Sequence, residues 1–434
     1  MKNTRKKIRL SIFLYILILF ISIKNVSSSE KIDLSHVTPS WATVTAGNIL
    51  CQPVRNSFGF VAIEEGKMIC AFNQEGTVLW ERGLPARPKP LISVGPSDML
   101  FVISRDGDLN MLNPGGLLLW TAKTGFTVTE EALPGRDGRI YVRGASDIAC
   151  YGIKGVRRWK ITVANQNTSL PITELNEGSL LVFLNKMTKD GKSLAVTISP
   201  FGQISEEFAF AGKVVQAAQC TDGTLVAFSD GSAGVCSENK DGPFSRWASD
   251  GCDLSLSSPT KIVTNGFSSH TAALLTGNPM ELVFIDTRTG SELSSVQTTY
   301  SPNSLVYAGK VGQGLVLSDG KSAACYKLSS DDEDSLSWSL SFDSRKKWTY
   351  MFPTDGGFIG LCTRNWVIEG YRVKQVLSAQ NYSSFVPKKN RPYTTFYEST
   401  DLVSSNITGP ALNSSLIEEM YKSFSLSNPA FSII

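Results

Sequence analysis

Gly76-Thr-Val-Leu-Trp80, Gly116-Leu-Leu-Leu-Trp120 and Gly155-Val-Arg-Arg-Trp159 put a glycine four residues ahead of a tryptophan three times in succession. The tryptophans stand 40 and 39 residues apart. A fixed period of this length marks a repeat architecture, in which each unit buries its apolar faces against its neighbours. Upstream of each tryptophan the same short apolar runs recur: Phe60-Val-Ala-Ile with Met68-Ile-Cys-Ala-Phe, Met99-Leu-Phe-Val-Ile with Leu109-Asn-Met-Leu, and Ile140-Tyr-Val with Ile148-Ala-Cys-Tyr. Runs this short read as strands rather than helices. Asp-Gly pairs at 106–107, 137–138, 190–191, 222–223, 319–320 and 355–356 punctuate them, and glycine supplies the positive φ that tight hairpins need. The unit is therefore an antiparallel sheet of about four strands.

Looser copies continue the order. Leu180-Leu-Val-Phe-Leu and Leu194-Ala-Val-Thr-Ile precede Gly202; Thr224-Leu-Val-Ala-Phe precedes Gly242 and Trp247. Ala272-Ala-Leu-Leu and Leu282-Val-Phe-Ile lead to Gly290, and Gly314-Leu-Val-Leu with Ala323-Ala-Cys-Tyr leads to Trp338. Fourth strands are expected at 80, 120, 159, 206, 247, 294 and 338. The last repeat, Gly357-Phe-Ile-Gly-Leu and Trp366-Val-Ile-Glu-Gly-Tyr, has no fourth strand after Val373. Trp41, 39 residues before Trp80, supplies one. The expectation is an all-β, eight-bladed β-propeller with four-stranded antiparallel blades, closed by an N-terminal strand over residues 39–45. Seven blades follow if a degenerate repeat around 206 or 294 is misread, and the alternative for Trp41 is a plain first-strand core residue.

The chain ends frame this body. Lys2, Arg5, Lys6, Lys7 and Arg9 precede an apolar run from Leu10 to Ile23 and the small residues Val26-Ser-Ser-Ser29, the order of a secretory signal. The run has fourteen residues, short of the roughly 20 that a spanning helix needs. Cleavage near Ser28 or Ser29 is expected, with membrane association only if the segment stays uncleaved. The first cysteine, Cys51, lies too far on to carry a lipid. The parts are then a signal peptide (1–29), a linker (30–38), the propeller (39–375) and a polar tail (376–434) with one short helix near 414–425. In that helix Ser415 and Glu418 form a capping box, and Leu416, Met420 and Phe424 share a face. The abrupt end at Ala430-Phe-Ser-Ile-Ile434 leaves truncation open.

Charge and chemistry narrow the function. The chain carries a net +3, but residues 1–29 hold six Lys or Arg and no acid, so the exported form would carry −3. It lacks the basic footprint of a nucleic-acid binder. Only His36 and His270 are present, which argues against a multi-histidine metal site or a histidine triad. Glu130-Glu131 and the run Asp331-Asp-Glu-Asp334 read as solvated loops. Cys70, Cys150, Cys236 and Cys325 fall in third strands of alternate repeats, too distant for mutual bridges, and read as buried core. Cys51 with Cys362, and Cys220 with Cys252, remain conceivable pairs.

The strand, Gly, three residues, Trp pattern over 58–160 resembles the pyrroloquinoline-quinone-like (quinoprotein alcohol dehydrogenase-like) propeller repeats. The resemblance implies that Trp80, Trp120, Trp159, Trp247 and Trp338 pack between neighbouring blades. It also raises quinone enzymology, for which the family uses Glu, Asn and Asp calcium ligands, an Asp base and a vicinal disulfide. No two cysteines here are adjacent, and no ligand set can be matched. No catalytic, cofactor-binding or metal-binding residue and no cofactor is therefore assigned. The favoured reading is a non-catalytic protein-binding scaffold of the bacterial periplasm or cell envelope, similar in logic to outer-membrane assembly propellers, with a protein partner of unknown identity. The alternative is a quinone-dependent or carbohydrate-active enzyme using the central channel.

Overall fold

The computed structural model describes residues 30–372 apart from 34–37, 66–67, 136, 176–177, 240–241, 246–260, 264–269, 278–279, 312–313, 328–335, 343–345 and 355–357. The signal segment, His36, Trp247, Cys252, the acidic run at 331–334 and the tail with its helix lie outside the described residues.

Eight sheets follow one another around a ring. Blades 1 to 7 span 54–83, 88–122, 133–162, 173–209, 214–245, 261–297 and 307–341, and blade 8 supplies three strands from 348–372. Within each blade, consecutive antiparallel strands pair in chain order. At five of the eight joints the first strands of neighbouring blades touch each other, so they line the axis and the fourth strands form the outer rim. The eight-bladed count holds, and the repeats around 206 and 294 are real blades.

The N-terminus completes the ring. Two strands precede blade 1, β1 (Glu30–Asp33) and β2 (Trp41–Val44). β2 is the fourth strand of blade 8, antiparallel to 367–372 with Trp41 opposite Gly370 and Val44 opposite Val367. Flanking bonds extend the ladder: Ser40 N–H donates to the Gly370 carbonyl (2.7 Å) and Thr45 N–H to that of Trp366 (2.8 Å). β1 lies in the stretch expected to be a linker. It adds a fifth strand to blade 7, parallel to Leu336–Ser341, with Glu30 opposite Trp338 and Asp33 opposite Ser341.

Each blade is sandwiched between two others, so its middle strands are buried on both faces and lack the polar alternation of a one-sided sheet. In blade 1, Phe60, Ala62, Cys70 and Phe72 pack against Phe352, Cys362 and Ile368 of blade 8. The intervening residues Val61, Ile63, Ile69 and Ala71 pack against Ile92, Leu100, Val102 and Leu112 of blade 2. The period-2 alternation of a strand thus divides each blade between two inter-blade cores. The same division makes eight such cores, one per joint.

Candidate functional site

The Gly-x-x-x-Trp signature acts across blades. Gly76, Gly116, Gly155 and Gly202 sit in the turn between third and fourth strands at φ +77°, +80°, +75° and +83°, a region glycine enters without a Cβ penalty. The tryptophan of the preceding blade lies against each one. A Cβ at Gly116, Gly155 or Gly202 would come within 2.6, 2.7 and 2.8 Å of Trp80, Trp120 and Trp159, and one at Gly76 would clash with Trp41. Indole Nε1 of Trp80, Trp120 and Trp159 donates to the carbonyls of Pro114, Ile153 and Pro200 at 2.9, 2.6 and 2.9 Å. Trp41 takes the same seat at the closing joint, yet its buried Nε1 has no hydrogen-bond partner among the described residues.

A β-bulge sets the spacing between glycine and indole. In blades 1, 2, 3, 6 and 7 the register shifts at one residue: Leu79, Leu119, Arg158, Leu293 or Ser337 is skipped in the pairing. Such an extra residue re-aims the side chain that follows it. That next residue is Trp80, Trp120, Trp159, Ser294 or Trp338, so blade 6 keeps the bulge without the indole. Trp80, Trp120, Trp159 and Trp338 are thus joints of the ring, as the resemblance implied, and Trp247 lies outside the described residues.

Titratable groups are mostly tied up in structure. Arg143, 1% exposed, donates to Glu130 Oε2 at 2.5 Å and to the Leu170 carbonyl at 2.9 Å. Glu130 is therefore a partly buried ion-pair partner, not the freely solvated loop carboxylate expected. Burial raises its pKa in spite of Arg143. Glu131, two residues before the innermost strand of blade 3, stays accessible to solvent. Crowding by protein, with the Glu130 charge second, pushes its carboxyl up to about 7. Asp137 pairs with Arg139. Between blades 5 and 6, Asp222 accepts from Thr287 Oγ1 at 2.5 Å and faces His270 Nδ1 at 3.1 Å. Both partners come from blade 6 and converge on the one carboxylate of blade 5. It is a polar staple between blades that the sequence did not reveal.

Cysteine chemistry is equally quiet. Cys51, Cys70, Cys150, Cys220, Cys236, Cys325 and Cys362 are buried. Burial pushes Cys51 and Cys150 up to about 12, far from the thiolate form that reacts. Cys70 and Cys362 share the core between blades 8 and 1, and Cys51 belongs to the next core around. Among the described residues no three His, Cys, Asp or Glu side chains are grouped to hold a metal ion.

The surface offers a different kind of feature. Val78, Leu117, Val156, Phe201 and Ile204 are 38, 42, 59, 56 and 45% exposed. All lie within two residues of Gly76, Gly116, Gly155 or Gly202, so they occupy the same end of four consecutive blades. Single exposed apolar residues are ordinary, but a contiguous set of them marks an interaction surface. The five stand one or two to a blade, an arc of exposed apolar side chains at one end of blades 1 to 4.

No family profile matches the chain, and no curated protein matches it. Solved structures share its shape. The yeast (Saccharomyces cerevisiae) protein Sqt1 aligns with a TM-score of 0.52 at 12% identity over 78% of this chain and 100% of its own. The C-terminal WD40 domain of Sif2 aligns at 0.54 and 11% over 78% and 99%. BamB from Moraxella catarrhalis aligns at 0.47 and 12% over 78% and 98%. At such identities the likeness is one of fold: a closed β-propeller spanning nearly the whole of each relative.

Proposed function

We propose that this chain is an exported, non-catalytic scaffold of the cell envelope that binds a protein partner, in the manner of the propellers that assist outer-membrane protein assembly. The apolar arc on blades 1 to 4 carries the reading. Five exposed apolar side chains stand on a rim that is rigid because each blade is locked to the next through a tryptophan seated on a glycine. A preorganised surface of this kind binds without first ordering loops. The basic N-terminal segment with its apolar run supports export, and the repeat pattern supports a place among quinoprotein-like propellers that have no quinone site. The test is photo-crosslinking in cells from positions 156 and 201, followed by mass spectrometry. One defined envelope protein should be recovered from both positions, and Val156→Glu with Phe201→Glu should reduce that recovery at least tenfold without lowering the melting temperature. Recovery of bulk abundant proteins alone would end the proposal.

A further inference from the structure

The turn between the second and third strands of blade 8, Phe358–Thr363 and Val367–Arg372, departs from its counterparts in one residue. In blade 2 the N–H of Arg105 donates to the Arg87 carbonyl at 2.7 Å, and two residues later Gly107 turns the chain at φ +85°. Blade 5 repeats this with Ser229, the Lys213 carbonyl at 2.8 Å and Gly231 at φ +90°. Blade 8 builds the same turn, with Arg364 N–H donating to the Lys347 carbonyl at 3.3 Å, but seats Trp366 where the glycine belongs, at φ +60°. A left-handed backbone is a rarity for a bulky side chain. The other non-glycine residues that adopt it among the described ones are Ser97, Asp98 and Asn165, all small and polar. Nor does the core repay the strain, since Trp366 is 51% exposed. Strain of this kind persists chiefly where a side chain serves a function.

The neighbours of Trp366 narrow that function. Val44, opposite Val367 at the end of β2, is 76% exposed. Arg364, Asn365 and Trp366 are exposed in succession, so the turn projects as a tip. On blade 7, Val306 is 59% exposed and lies beside Gly320 of the corresponding turn. Exposed cations stand among these side chains, Arg364 and Lys347 on blade 8 and Lys321 on blade 7. None of the three is in an ion pair among the described residues. The acids are engaged instead: Glu369 holds Lys346 at 2.7 Å, and Asp319 accepts from the backbone N–H groups of Lys321 and Ser322 at 2.9 and 2.8 Å. A projecting tip is the opposite of the concave site that a small ligand needs. An indole and an aliphatic side chain among cations match the bilayer–water boundary, where aromatic rings sit at headgroup level and Lys or Arg meets anionic lipid.

We infer that the blade 8 turn at Arg364–Trp366 is a docking tip for an anionic lipid surface, with Trp366 and Val44 entering the headgroup layer and Arg364, Lys347 and Lys321 held at lipid phosphates. Strands alternate in direction within a blade, so turns between second and third strands and turns between third and fourth lie at opposite ends of the ring. Docking through Trp366 therefore points the apolar arc beside Gly76, Gly116, Gly155 and Gly202 away from the membrane. The inference goes beyond the scaffold reading and does not depend on it, because lipid binding is measured with no partner present.

The test is co-sedimentation of the purified full-length protein with vesicles of phosphatidylglycerol and phosphatidylethanolamine in equal parts, against vesicles of phosphatidylcholine alone. The native chain should bind the anionic vesicles and leave them as salt is raised. Arg364→Gln with Lys347→Gln should weaken binding roughly 25-fold, about fivefold for each charge. Trp366→Gly should weaken it about tenfold or more with the melting temperature unchanged or raised, since glycine accepts the turn. That combination separates a docking indole from a packing one. An environment-sensitive dye on Asn365→Cys should shift to the blue on anionic vesicles, which reports the tip itself and no other segment. Equal binding to both kinds of vesicle, equal binding by the native chain and Trp366→Gly, an unresponsive dye, or a lowered melting temperature in Trp366→Gly each overturns the inference. Binding to neither vesicle, with a protein crosslinked from position 365 in cells, would overturn it in favour of a protein contact.

Discussion

Gly76→Ala should weaken the ring at its closure, and the loss should shrink when Trp41 is removed beforehand. Two costs combine at Gly76. Its φ of +77° is left-handed, which costs an alanine about 1–2 kcal/mol. The new methyl would also meet the six-membered ring of Trp41, and forcing a packed aromatic aside costs about 1–3 kcal/mol. The single variant should therefore lose about 2–5 kcal/mol. Trp41→Ala alone gives up a half-buried indole stacked on Phe60 at 6.3 Å, worth about 2–4 kcal/mol if a fully buried one is worth 3–5. In the double variant the collision is absent and only the backbone term remains. The two losses should then fall short of additivity by about 1–3 kcal/mol. Guanidinium unfolding followed by far-UV circular dichroism measures all four corners of the cycle. Trp80→Ala with Gly116→Ala, where the corresponding approach is 2.6 Å, provides the same cycle at a joint the chain already connects. Additivity within about 0.5 kcal/mol at the Trp41–Gly76 pair would refute the closing contact.

Arg143→Leu should destabilise by about 3–5 kcal/mol, because it strands Glu130 without its partner. Glu130→Gln in the same chain should recover part of that loss in the same unfolding assay. Cys51, Cys70, Cys150, Cys325 and Cys362 should resist a thiol-reactive dye in the native state and react on unfolding; rapid native labelling of Cys70 or Cys362, identified by peptide mapping, would contradict their burial. Glu131 sets a pH dependence. With the folded carboxyl near 7 against an ordinary value of 4.5, the folded state binds this proton more tightly. Its contribution is full below pH 4.5 and fades as pH rises towards 7 and beyond. Glu131→Gln should therefore match the native melting temperature at pH 4 and exceed it at pH 8, and a gain that appears only at low pH would reverse the assignment.

The ring was legible because its joints are local in sequence. Glycine, bulge and indole fall within five residues, so the period shows wherever all three survive, and Trp41 could be placed by counting back one period. Blade 6 was harder to read because Ser294 stands where an indole would; the bulge at Leu293 that defines the strand has no residue-type signature. The polar staple at Asp222 escaped notice because its partners lie 48 and 65 residues away. Arg143 and Glu130 are thirteen residues apart and look like any loop charges until the fold buries one of them. The rim arc was hidden for another reason. Val78 and Leu117 continue apolar runs whose next members, Leu79 and Leu118, pack against an inter-blade core, and Val156 stands alone before two arginines. β1 had no signal at all, since a four-residue parallel pairing is decided by the edge it joins.

The double hold of the N-terminus on blades 7 and 8 has a bearing on the order of assembly. Trp41 pairs with Gly370, so the earliest strand of the ring in chain order waits for the latest. Until blade 8 exists, β2 has no partner and blade 1 exposes the face that Phe60 and Phe72 will bury. A half-made chain is therefore an open arc with two sticky ends, prone to joining a neighbour's arc in place of its own. Blades 2 to 6 can form early from hairpins alone. The seal must come late, and conditions that delay it should favour exchanged, ring-to-ring dimers over aggregates of unfolded chain.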